Sequence, residues 1–164
     1  MPRNVLRELD KPEERVYSTK QVSRIFGVTQ RQLQWWDERQ LITVKHRGHA
    51  REYTEHEALM AGVVMELRRK GYSIQLTRQI IRGLDRQIGE AVQQMGVHDE
   101  IFFAILTPPG SVCWGGRKLR WRLETDRSAV IEMCLQNDEP VALINLTPLV
   151  WKSKQGEAEK RKRA

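Results

Sequence analysis

Three times between Tyr17 and Glu57 the chain sets a hydroxyl residue three positions before a Gln or Glu: Ser18 with Gln21, Thr29 with Gln32, and Thr54 with Glu57. In such a capping box the hydroxyl accepts the backbone N–H of the third helical residue, and that residue's side chain reaches back to the N–H of the cap. Each box satisfies orphan donors that a helix start leaves open, so it marks where a helix begins. Each also stands just before apolar residues at helical spacing. The pattern predicts a helix over about 19–26 with Val22, Ile25 and Phe26 inward, and a second over about 30–38 anchored by Leu33 and Trp36. A third runs over about 55–70 with Leu59, Met60, Val63, Val64 and Leu67 on one face. Gly27 supplies a tight turn, and Gly71 closes the third helix. Ser73, a cap without the reciprocal partner, opens a fourth helix near Ile74 that buries Ile80, Ile81 and Leu84 and extends toward Met95.

Two short helices joined by a Gly turn make a helix-turn-helix candidate, in which the second helix enters the DNA major groove. Its outward face carries Gln30, Arg31, Gln34, Trp35 and Arg39. Gln can bond adenine through two hydrogen bonds, and Arg can bond guanine or phosphate. A solvated amphipathic helix would show much the same face. The segment after that helix separates the two possibilities. Ile42–Val44 and Ala50–Tyr53 read as short strands, and between them lie Lys45, His46, Arg47, Gly48 and His49. A basic hairpin directly after a recognition helix is a wing, whose tip can lie along phosphates or reach the minor groove.

Charge agrees with DNA binding. The 164 residues carry 28 Lys and Arg against 21 Asp and Glu, for a formal charge of +7. Residues 17–84 hold 12 of the basic residues against 6 acidic ones, residues 98–151 hold 5 against 7, and the last 13 residues hold 6 against 2. The positive field therefore sits on the first half and the tail, where a polyanion would be met. No run of about 18 apolar residues is present to span a membrane. The segment Met1–Leu9 carries Arg3, Arg7 and Glu8 rather than the apolar stretch of a secretory signal. Two cysteines make no disulfide scaffold and lack the paired spacing of a zinc site. A cytoplasmic, nucleoid-associated location in a reducing compartment is the expectation.

The residue order also resembles a known family. Tyr17-Ser18-Thr19-Lys20-Gln21-Val22-Ser23-Arg24-Ile25-Phe26-Gly27-Val28-Thr29 is similar to the first helix and turn of the MerR (mercury-resistance regulator) family. Arg31 to Glu38 resembles its recognition helix, ending in an aromatic pair and an acid. Arg47 to Thr54 resembles the wing and the cap of the third helix, and Leu67 to Ile74 the turn into the fourth. The resemblance covers about 17–84. It implies a winged helix-turn-helix that binds double-stranded promoter DNA in a prokaryote. Such regulators bind as homodimers on inverted repeats, with output switched by an effector at the C-terminal region. By the same resemblance, Arg31, Trp35 and Trp36 fall on recognition-helix contact or support positions. Arg51 and Tyr53 fall on wing positions that brace or touch the DNA backbone. The chain departs from the family in three places. Gln34 stands where Arg is frequent, Trp35-Trp36 replaces a frequent Tyr pair, and only Asp85–Met95 is available where the family carries a long dimerisation helix.

The second half changes character. Lys118–Leu123 alternates in period two, and Ile101–Leu106 and Val141–Leu146 are further strand candidates, while Ala129–Leu135 reads either way. Cys113 and Cys134, with His98 and Met133, could ligate a soft metal, but small buried residues on strands are the more frequent occurrence. Trp114, Trp121 and Trp151 read as core before they read as an effector pocket or an oligomer interface. Gly115-Gly116 reads as a hairpin turn. No nucleophile has a spaced His partner and no phosphate loop is present, so no enzyme, metal or cofactor is expected.

These observations predict an α+β chain divided into an arm at 1–16, a winged helix-turn-helix at 17–84, a helical linker at 85–97, a small β-rich domain at 98–151 and a basic tail at 152–164. The expected function is a sequence-specific, double-stranded DNA-binding transcriptional regulator. Its second half would dimerise, sense an effector or contact a protein partner. Phosphate contacts are expected from Ser18, Lys45, Arg47, Arg51 and Tyr53, and base readout from Gln30, Arg31 and Gln34, beside Trp35 and Trp36. An excisionase-like architectural factor, or an adaptor whose second half recruits a protein to DNA, stands as the alternative.

Overall fold

In a computed structural model, residues 16–94, 99–107, 120–136 and 142–155 are described. All three capping boxes form. Gln21 N–H donates to Ser18 Oγ (3.3 Å) while Ser18 N–H donates to Gln21 Oε1 (2.8 Å), and the Thr29–Gln32 and Thr54–Glu57 pairs repeat the exchange. They start α1 (Thr19–Phe26), α2 (Gln30–Glu38) and α3 (Glu55–Arg69). Gly27 turns the chain between α1 and α2 at φ +68°. Gly71, at φ +86°, ends α3 with Tyr72 N–H donating back to Leu67 O (3.1 Å).

The wing departs from expectation in its strands. They are β2 (Lys45–Arg47) and β3 (Ala50–Thr54), joined by the two-residue turn Gly48-His49 with Gly48 at φ +63°. Leu41, Ile42 and Val44, in part expected as the first strand, are instead buried in the stretch leading to it. Ile42, exposed Thr43 and Val44 alternate as a half-buried strand would, but the partners of β3 on this side are Lys45, His46 and Arg47. The basic residues therefore form the strand itself rather than its tip. A further strand, β1 (Val16–Ser18), pairs with β3, giving the antiparallel order β1-β3-β2. It sets buried Tyr17 opposite buried Tyr53, a pairing with no local sequence signal.

Asp85–Gln94, expected as a helical linker, simply continues α4, which runs unbroken from Ile74 to Gln94. The strands of the second half are β4 (Phe102–Ile105), β5 (Trp121–Glu124) and β6 (Ala142–Asn145), antiparallel in the order β5-β4-β6. The ambiguous stretch is a helix, α5 (Arg127–Gln136), and a further helix, α6 (Thr147–Gln155), spans the end of the region expected as β-rich and the start of the expected tail. Pro148 sits in the first turn of α6, where its missing N–H costs nothing.

One hydrophobic cluster joins the two halves. It contains Val22, Phe26, Leu67 and Leu84 together with Ile101, Phe103, Ile105, Leu146 and Val150. Period-two alternation turns Phe103 and Ile105 of the central strand, with Ile101 just before it, toward that core and Phe102 and Ala104 to the other face, beside α5. α6 packs on α1 and α3. Tyr72 Oη, on a fully buried ring, donates to Thr107 O (2.9 Å), and Trp121 meets Phe103 edge-on at 5.5 Å between centroids. Gly83 of α4 admits the Trp121 indole, since a Cβ there would lie 2.9 Å from Cζ2. The sheet is thus a layer between α5 and the helices of the first half. No helix among the described residues is long and apolar enough to cross a membrane.

Candidate nucleic-acid interface

The first turn of α1, the outer face of α2 and the far end of the wing enclose an open groove of about 620 Å³. It brings together Ser18, Gln30, Arg31, Gln34 and Arg51 of the expected contacts and adds Lys20 and His49. Among the described residues no carboxylate lines it. Arg31 and Gln30 stand exposed on the first turn of α2, on a helix whose other face is anchored by buried Leu33 and Trp36. The first-turn N–H groups that helices leave unpaired open at the α1 and α2 starts, a polarity that suits an anion. The Ser18 hydroxyl and N–H are both committed to the cap, so the Ser18 start offers phosphate the N–H groups that follow it rather than the serine itself.

The wing is locked to the recognition helix by one carboxylate. Asp37 Oδ2, near the end of α2, accepts Arg51 Nε of β3 at 2.7 Å and lies 2.9 Å from His46 Nε2 of β2. Both Asp37 and the Arg51 side chain are largely removed from solvent, so this clamp is worth more than a surface ion pair. It fixes the Arg51 guanidinium at the groove wall. Sequence reasoning treated Asp37 only as the acid after the aromatic pair. An acid at the end of a recognition helix that precedes a basic hairpin was the available signal.

The remaining expected residues divide. Arg47 is 86% exposed beside the wing tip, with Glu52 at 3.8 Å, so its charge stays open to solvent. Gln34 Nε2 donates to Glu38 Oε1 (2.8 Å), which steers its amide along the helix surface. Trp35 is exposed and stacks under Arg39, whose Cζ lies 5.2 Å from the ring centroid. Trp36 and Tyr53 lie in the core, so Tyr53 touches no phosphate in this arrangement and Trp36 supports the helix from behind. Burial, and then the nearby Asp37 charge, push the Tyr53 hydroxyl above its ordinary pKa. Lys45 is outside the groove. It lines a second cavity of about 570 Å³ between the wing base, α3 and α4, whose walls also carry Glu57 and Asp85. There His56 Nε2 and Asp85 Oδ1 join α3 to α4 at 2.7 Å.

Cys134 is exposed on α5, not buried on a strand as expected. Trp121 and Trp151 are half-buried. Among the described residues no cluster of three His, Cys, Asp or Glu could hold a metal ion. Cys113, His98, Trp114, Gly115-Gly116 and residues 156–164 of the basic tail lie outside the described residues.

The family described as MerR HTH family regulatory protein matches residues 17–84. That span begins on β1 and ends on α4, and it holds the whole of the groove and the clamp. No curated protein matches the chain. With the capped helix pair, the wing and the matched span in agreement, residues 17–84 are a MerR-family helix-turn-helix domain, the DNA-binding type of a transcription regulator.

Proposed function

We propose that this chain is a cytoplasmic, sequence-specific regulator that reads promoter DNA in the groove between α2 and the wing. The observation that carries the reading is the groove itself: Lys20, Arg31 and Arg51 converge on it without a carboxylate among the described residues, beside exposed amides on α2. In this reading Gln30 and Arg31 meet base edges, with Gln34 able to join them by releasing Glu38. Arg47, Arg51 and the α1 start meet phosphates on either side. Two copies bind an inverted repeat, and the second half serves pairing, effector sensing or partner contact. A second reading, an architectural factor that assembles along DNA, is favoured by one feature. Beyond Leu84, α4 turns Asp85, Arg86, Gln87 and Glu90 to solvent, so it presents a polar face where a dimerisation helix needs an apolar one.

The two kinds of contact separate in binding titrations over a range of salt. Arg51→Ala should weaken binding to all sequences alike and flatten the dependence on log salt by about one unit. Arg31→Ala should cost about 1–3 kcal/mol on the preferred sequence and relax preference at one base pair. An Arg31→Ala loss that is equal on every sequence contradicts base readout. An unchanged salt slope in Arg51→Ala leaves that residue only its bond to Asp37.

A further inference from the structure

We propose that the outer face of α5 is a docking surface for a second copy of this chain, the two helices lying side by side in parallel about a two-fold axis. α5 turns Val130 and Met133 inward and packs on β4 and β5. Its opposite side shows Leu135, 82% exposed, and Ile131, 55% exposed, one turn apart on a single ridge. These are the most exposed large apolar side chains among the described residues.

The charges beside that ridge say what covers it. In a heptad frame Ile131 takes a d position and Leu135 the next a position. Arg127 then falls on the preceding g and Glu132 on the following e, with opposite charges. In a parallel helix pair each g residue meets the partner helix's e residue of the next heptad. Two-fold pairing therefore brings Arg127 against the partner's Glu132 twice over, while Ile131 and Leu135 close the seam. A stripe bearing one cation and one anion at this spacing complements itself. Arg127 is also pre-set for the contact. Its guanidinium is held at the start of α5 by Glu100 (3.0 and 2.5 Å) and remains 68% exposed.

The patch spans at most a few hundred Å², against about 800 Å² per partner in a standard specific interface. Pairing is accordingly weak between free molecules. It becomes effective where two copies are held close, and if the proposed DNA reading holds, neighbouring half-sites supply that closeness. α5 contributes nothing to the lining of the α2–wing groove, so both surfaces are open at once.

Sedimentation equilibrium of the full chain without DNA, from micromolar to about 1 mM, tests the pairing in Arg127→Glu, Glu132→Arg, the double exchange and Leu135→Glu. The expected result is a weak wild-type dimer, weakened about tenfold by either single exchange and restored within about threefold by the double. Leu135→Glu abolishes it. A folding defect from losing the Arg127–Glu100 contact would persist in the double variant, so restoration is not open to that explanation. A wild type monomeric throughout, or a double exchange no better than the singles, overturns the proposal. The same series on duplexes with one and two half-sites should change cooperativity and leave single-site affinity alone. Loss of DNA binding in every protein, wild type included, would refute the DNA reading and leave the sedimentation result standing.

Discussion

Asp37 is the residue on which the geometry of the groove turns, because one oxygen holds both wing strands to the recognition helix. Replacing it with Asn should lower stability by about 1–3 kcal/mol, since Arg51 is left largely buried without its counter-charge. The same change removes a negative charge near the proposed phosphate contacts, so it should not weaken non-specific binding. The expected outcome is a smaller ratio of specific to non-specific affinity, read by competition with random duplex. Gln40 carries a different kind of tension. It ends α2 at φ +54°, with its own N–H on Asp37 O and Leu41 N–H on Trp36 O, the arrangement that Gly occupies after α3. Gln40→Gly should raise stability by about 0.5–1 kcal/mol in denaturant unfolding, with the groove unchanged. Gln30 and Arg31 were legible as lining of the groove because helical spacing puts them on one face of α2, and Arg51 because the wing resembles the family's. The burial of Tyr53 was not, since it depends on β1 arriving from outside the wing.

Among elements, the helix starts were the most legible feature, because a capping box is a local bond pattern complete within four residues. Strand registers were less so. The first wing strand is set by pairing to β3 and by the turn at Gly48, not by the apolar residues before it. α5 read either way because its apolar residues fall on both faces, with Val130 and Met133 inward and Ile131 and Leu135 outward, so that they show no helical period. α6 escaped notice because its apolar residues are few, and neither helix begins with a capping box. The close approach of α1 to α3 rests on Gly62, where a Cβ would sit 2.7 Å from Phe26 Cδ1. The Phe26 ring is buried and has nowhere to retreat. Gly62→Ala should therefore destabilise the fold by about 1–3 kcal/mol despite the gain in helix propensity. A rise in melting temperature would mean that α1 shifts freely.

At the scale of the molecule, the two halves share one core, which composition and charge did not foretell because the links are long-range. Tyr72 is such a link. Burial pushes its hydroxyl up to about 12 from an ordinary value of 10. The unfolded chain thus loses this proton at lower pH than the folded one does. Its contribution to stability is complete below pH 10 and is lost progressively as pH rises toward 12. Tyr72→Phe should lower stability at neutral pH by about 1 kcal/mol and flatten the alkaline decline. An unchanged alkaline profile would place the sensitivity elsewhere. The central claim, that the α2–wing groove reads DNA sequence, is tested most directly by selection of bound duplexes from a randomised pool at near-physiological salt. Wild-type protein should enrich an inverted repeat, and Arg31→Ala should enrich a repeat whose preference is relaxed at one base pair of each half-site. A wild-type pool that stays random through successive rounds would contradict the claim.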